Sequence, residues 1–183
     1  MSRIYYTHAE SPIGRLVLVG TDDGLRAIEF PEARGGRPPD PAWVPDRGRF
    51  ADALEQLAAY FRGALRRFDI MLRPEGTPFQ QRVWRALLDI PYGDTVSYAE
   101  VATLIGQPAA VRAVGAANGR NPIPIVIPCH RVIGSDGRLT GYGGGLAVKE
   151  ALLALERGTS LPRQGVLFGG AASARPTRGR PRG

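Results

Sequence analysis

Three consecutive residues in "PIPIVIPCHRVIG", Pro122 to Gly134, have side chains that could do chemistry together: Cys129, His130 and Arg131. Cys129 is the only cysteine in the chain, and His130 is one of two histidines. A thiolate is the nucleophilic form of cysteine, and a cationic or hydrogen-bonding neighbour favours it. The ordinary role of a lone cysteine is that of a small buried hydrophobe. Here Pro128 ends an apolar run and sets Cys129 at a turn, not inside a strand. Because His130 and Arg131 are polar, the chain is expected to leave the core there. Adjacent side chains on a strand face opposite ways, so cooperation needs a turned backbone or a bridging water. A Cys-His pair also needs a third group to orient the imidazole. Asp136, Glu150 and Glu156 are the acids nearby, and the spacing leaves the choice among them open.

The elements that must hold these residues fall into two parts. "RIYYTHAESPIGRLVLVGTDDGLRAIEF" has β-rich runs broken by Ser11-Pro12, Gly14, Gly20 and Asp23-Gly24, the pattern of hairpins. Five prolines between Pro31 and Pro45 mark a long loop. Phe50, Leu54, Leu57, Phe61 and Leu65 follow at helical spacing, and "FDIML" is expected to be a further strand. Residues 1–73 thus read as an α/β lobe, joined to the rest by "RPEGTP". Residues 77–158 read as mostly helical. Thr77-Pro78 has the form of an N-cap and first helical position, ahead of Phe79, Val83, Trp84, Leu87 and Leu88. Ser97 to Glu100 has capping-box spacing, Gly106 ends that helix, and Pro108 opens the next. Two short helices around a glycine turn make a helix-turn-helix pattern. "LAVKEALLALE" closes the part as an amphipathic helix.

With 43% hydrophobic residues, 183 residues are enough to bury a core. No apolar run is long enough to span a membrane and "MSRIYYTHAE" lacks a signal peptide's apolar core, so a cytoplasmic protein is expected. One cysteine excludes an internal disulfide, and two distant histidines add no convincing zinc site. The net charge of +7 is localised. Residues 1–76 carry 11 Arg against 11 acids, residues 77–156 carry 7 basic and 6 acidic residues, and residues 157–183 carry six Arg and no acid. A basic tail, 159–183, suits a polyanion such as nucleic acid; a GC-rich coding sequence produces the same composition.

Beyond these physical readings, "PCHRV", Pro128 to Val132, closely resembles the active-site signature of the O6-alkylguanine-DNA alkyltransferases. The resemblance extends in order through Trp84, "PYG", "SY", "RAVG", "NP", "PCHR", "GYGGG" and a last helix ending at Glu156. The first lobe is similar more loosely, through "SPIG", "YF" and its strand–helix order. The resemblance implies an α+β protein: a small N-terminal α/β lobe like ribonuclease H, then a mostly helical domain with a winged helix-turn-helix. It implies a DNA repair protein that takes the alkyl group of O6-alkylguanine onto its own cysteine, once per molecule and without a cofactor. Cys129 would be the acceptor, His130 a base acting through water, and Glu156 its orienting acid. Asn121 would brace the turn. Tyr98 would stand by the flipped nucleotide and Arg112 would enter the stack it leaves. Ala99, Gln107 and Ser135 would meet DNA, while Tyr142, Gly143, Gly144 and Val132 would form the guanine pocket. The implied partner is double-stranded DNA bearing O6-alkylguanine, bound by a monomer, with O4-alkylthymine and cooperative assembly left open and no membrane partner.

The chain departs from some relatives in having no cysteines to offer an N-terminal zinc site, so no zinc is expected, and the functions of the second cysteine-bearing domain that some relatives carry are not expected either. Two other readings compete. A non-catalytic lesion binder or winged-helix regulator would not need Cys129. A cysteine hydrolase using Cys129, His130 and an acid would need an oxyanion hole and a base set apart in sequence, and a single Cys-His dipeptide beside a DNA-binding pattern supports it poorly.

Overall fold

The computed structural model describes residues 3–33 and 36–159. The first lobe is a four-stranded sheet in the order β3-β2-β1-β4 with one helix. Strand β1 (Tyr5–Ala9) alternates buried and open positions, as one face packs and the other meets water. Strand β2 (Leu16–Thr21), "LVLVGT", is buried along nearly its whole length because it is central and covered on both faces. Strand β3 (Gly24–Glu29) pairs antiparallel to β2. The expected proline loop is largely such, but it ends in a two-residue edge strand, β4 (Val44–Pro45), parallel to β1. Val44 and Asp46 donate to the carbonyls of Ile4 and Tyr6, so the N–H that Pro45 lacks is not needed. Helix α1 (Ala51–Phe61) buries Ala53, Leu57 and Tyr60, one stripe at helical spacing.

The expected strand at "FDIML" is not one. Only Leu72 bridges a strand residue, Leu25. The side chain of Gln56 takes both backbone groups of Asp69, at 2.8 Å each, and these are the groups a ladder would have used.

The second part starts at helix α2 (Pro78–Leu88), closed by a reciprocal capping box between Thr77 and Gln80. Strand β5 (Val96–Ser97) leads into helix α3 (Tyr98–Leu104), with a second capping box, Ser97 and Glu100. A 3-10 turn at Pro108–Ala110 opens helix α4 (Val111–Gly119). Trp84 of α2 donates its indole N–H to the Ala117 carbonyl of α4 at 2.9 Å, which ties the helix-turn-helix to the helix before it. Strand β6 (Val132–Ile133) pairs parallel with β5, and helix α5 (Leu146–Glu156) closes the domain. The architecture is α+β, a small sheet lobe followed by a helical domain with a helix-turn-helix. No helix of the described residues is long and apolar enough to cross a membrane. The expected basic tail lies outside the described residues from position 160 onward.

Candidate active site

Between α4 and β6 the chain runs through the core without regular structure. Ile123, Ile125 and Ile127 are buried, and Ile125 holds φ at +76°, a conformation that a β-branched residue rarely adopts. Asn121 braces this segment: it accepts from Ile123 N–H at 3.0 Å and donates to the Ile127 carbonyl at 2.8 Å. The segment ends in a single 3-10 turn, Cys129–Arg131. The backbone therefore turns where a strand would have set Cys129 and His130 on opposite faces.

The chain does not leave the core here, contrary to the expectation from its polar residues. His130 is fully buried, and Cys129 and Arg131 are nearly so. Their burial is made tolerable by Glu156, at the end of α5. His130 Nε2–H donates to Glu156 Oε1 at 2.8 Å. Arg131 donates through Nε to Oε2 at 2.8 Å and through Nη2 to Oε1 at 2.9 Å. Tyr60, from the first lobe, adds its hydroxyl to Oε1 at 2.7 Å, and Gly93 N–H donates to Oε2 at 3.0 Å. Gly93 has φ of +87° in the "PYG" turn, which aims its N–H inward. Arg131 also donates to the Ile90 carbonyl at 2.6 Å, so the guanidinium is held on two sides. Of the three candidate acids, geometry selects Glu156.

These contacts set the protonation states. Burial alone would raise the Glu156 carboxyl, but hydrogen bonds from His130 and Arg131, with the Arg131 charge, outweigh it and hold it well below the usual carboxylate range. Burial, with the Arg131 and Lys149 charges, pushes His130 down despite Glu156, so the imidazole is neutral near pH 7. An ionised Glu156 accepts only, which places the imidazole proton on Nε2. Nδ1 is then the accepting nitrogen, buried and without a partner among the described residues. Burial pushes the Cys129 thiol up to about 11, opposed by a hydrogen bond from Asn121 and the charge of Lys149. The resting sulfur is a thiol beside a neutral base.

Cys129 opens on a cavity of about 300 Å³. Asn118, Asn121, Tyr142 and Gly143 line it, and the first lobe contributes Glu29 and Phe30. Tyr142 stands edge-on to His130 with ring centroids 6.4 Å apart, and its buried hydroxyl has no partner among the described residues. Val132 and Gly144 are placed differently from a pocket wall. Val132 is buried in β6 and gives its carbonyl to Lys149 at 2.6 Å, while Gly144 packs under the Phe30 ring. Tyr98 begins α3, where its hydroxyl meets Thr140 Oγ1 at 2.7 Å and its ring approaches Gly115 of α4. Arg112, Ala99, Gln107 and Ser135 are all exposed, none of them in the cavity wall. Among the described residues no group of three or more His, Cys, Asp or Glu is placed to hold a metal ion.

Four site residues escaped sequence reasoning: Asn118, Lys149, Tyr60 and Phe30. Asn118 is buried, lines the cavity and donates weakly to the Cys129 carbonyl at 3.4 Å. Lys149 is fully buried and clamps the carbonyls of Val132 and Thr140, at 2.6 and 2.9 Å. Its sequence signal was its position as the only lysine, among the apolar residues of a closing helix. Tyr60 reaches Glu156 across 96 residues, and no local signal could have shown it.

Comparison with known proteins points one way. Residues 4–74 match the family model described as 6-O-methylguanine DNA methyltransferase, ribonuclease-like domain. Residues 78–158 match the DNA binding domain of the same family. The chain is 53% identical over 153 residues to the methylated-DNA–protein-cysteine methyltransferase of Methanosarcina barkeri, covering 84% of this chain and 97% of that one. It is 54% identical over 154 residues to the Mycobacterium tuberculosis protein of the same name, covering 84% and 93%. The crystal structure of Mycobacterium tuberculosis O6-methylguanine methyltransferase superposes with a TM-score of 0.78 at 52% identity, covering 86% of this chain and 94% of that one. The structure of Mycobacterium tuberculosis OGT in complex with DNA also has a TM-score of 0.78, at 53% identity, with 84% and 93% covered.

Proposed function

The chain belongs to the 6-O-methylguanine DNA methyltransferase family, and from that premise we propose how its own residues carry the reaction. Its activity is that of a methylated-DNA–protein-cysteine methyltransferase: it repairs DNA by moving the alkyl group of O6-alkylguanine to a cysteine of its own. Cys129 is the acceptor, as the only cysteine of the chain. The thiol proton passes through a water to His130 Nδ1, and the sulfur displaces guanine from the alkyl carbon in line. A C–S bond forms and the C–O6 bond breaks, with its electron pair leaving on guanine. Tyr98 donates the proton that guanine regains and recovers one from solvent, to which His130 in turn releases the thiol proton. The product is a thioether, which water does not cleave, so each molecule acts once.

The observation that carries this reading is the His130 arrangement. Glu156 holds one nitrogen, the other has no partner among the described residues, and Cys129 shares the same turn. Because the thiol rests protonated, deprotonation is coupled to attack, and the thiolate never accumulates in an unoccupied site.

DNA is the partner. The bound form is a duplex met through α3 and α4, with Arg112 taking the place of the flipped base and Ala99, Gln107 and Ser135 on the backbone. The exposure of these four residues, beside small neighbours on α4, supports that docking. The acting form is a monomer in the cytoplasm, with residues 1–73 and 77–158 as its working lobes. The test is intact-protein mass spectrometry after mixing with excess duplex carrying one O6-methylguanine. One added methyl at Cys129, absent from Cys129→Ala, is expected. An unmodified protein that still binds the lesion duplex would instead establish a lesion binder.

A further inference from the structure

The cavity wall supplied by the first lobe has no role in the reaction so far described. We propose that Phe30 sets the largest alkyl group this protein can accept; the proposal rests on the alkyl-transfer reading above. The group being transferred must reach Cys129 inside the cavity of about 300 Å³. Whatever extends beyond its first carbon shares that space with the walls. Phe30 and Tyr142 are the two aromatic walls. Tyr142 sits on the loop of the second domain, held between His130 and Phe30.

The Phe30 ring has nowhere to withdraw. It is 7% exposed and lies edge-on to Tyr142 at 5.9 Å between centroids. Its other limit is the backbone of Gly144, where a Cβ would stand 3.1 to 3.2 Å from three ring atoms, Cε1, Cδ1 and Cζ. The backbone beneath it is anchored too. Ile28 N–H donates to the Pro122 carbonyl at 2.9 Å, which pins the end of β3 to the segment leading to Cys129. The ring is therefore fixed relative to the sulfur, and its volume is subtracted from the space open to the alkyl group. Removing it leaves an apolar hole of aromatic size, the kind of space that takes up a benzene-like group. A methyl group is indifferent to that space; a benzyl group needs it.

The experiment measures single-turnover transfer from duplexes carrying O6-methylguanine or O6-benzylguanine, with the adduct mass read on Cys129. Wild type, Phe30→Ala and Phe30→Leu are compared, with thermal melts to confirm folding. The benzyl-to-methyl rate ratio should rise roughly tenfold or more in Phe30→Ala, with Phe30→Leu between, the scale on which an apolar pocket discriminates size. Phe30→Leu alone decides the matter if Phe30→Ala does not fold. A ratio unchanged from wild type, or both rates falling together, would show that Phe30 only holds the loop and would overturn the proposal. A folded wild type that transfers neither group would overturn the alkyl-transfer reading itself, and this proposal with it.

Discussion

Replacing Glu156 by glutamine tests the centre of the site. The carboxylate accepts five hydrogen bonds, three at Oε1 from Tyr60, His130 and Arg131, and two at Oε2 from Gly93 and Arg131. An amide has one acceptor oxygen. If that oxygen takes the Oε1 place, the NH₂ group faces the Gly93 and Arg131 donors; in the other orientation it faces three. Either way Arg131 is left buried without its anion, a loss of about 3–5 kcal/mol. For a chain of this length that corresponds to a fall in Tm of roughly 6–20 °C. Tyr60→Phe is the control. It removes one donor of the five to a charged acceptor and should cost less than the loss of the anion, about 1.5–3 kcal/mol. The pH dependence gives a second reading. The folded carboxyl lies well below its unfolded value. Its contribution is therefore complete above about pH 5 and is lost as pH falls through about 4.3 towards the folded value. Melts of wild type should decline steeply over that interval, and those of Glu156→Gln less so. Transfer should also slow by at least about a hundredfold, because a neutral amide, which can donate to the ring as well as accept from it, no longer fixes the imidazole proton on Nε2. A stability loss under about 1 kcal/mol would refute the reasoning.

With the thiol pushed up to about 11, only about one molecule in a thousand carries a thiolate at pH 8. Iodoacetamide should label Cys129 far more slowly than a free thiol, and mild denaturant should abolish the difference. Tyr142→Phe removes a buried hydroxyl that has no partner among the described residues, so the free protein should keep its Tm or gain up to about 2 kcal/mol in stability by denaturant titration. Lys149→Met strands the carbonyls of Val132 and Thr140 and should cost roughly 1–3 kcal/mol, read in the same titration.

Much of the fold follows from local rules that the chain states openly. The capping boxes at Thr77 and Ser97 formed where hydroxyl and Gln or Glu stand three apart, because both partners lie within one turn. "FDIML" misled because strand propensity describes the residues and not their neighbours, and Gln56 had already claimed the Asp69 backbone. The acceptor was likewise legible, since Cys129 is the only cysteine, and so was the histidine proposed as its base, since it is adjacent and scarce. Which acid served His130 was open among three until α5 packed against the 129–131 turn.

What the amino-acid sequence determined by itself is the family, the identity of the nucleophile and the order of the elements, because these depend on residue type and short spacing. Only the tertiary structure decided that Cys129, His130 and Arg131 lie inside the core, that Glu156 carries five donors, and that Phe30 lines the cavity. Each of those depends on burial and on contacts across the chain, up to the 96 residues between Tyr60 and Glu156. Burial determines whether a thiol is reactive or resting and whether an arginine is solvated or structural, and it exists only once distant segments meet.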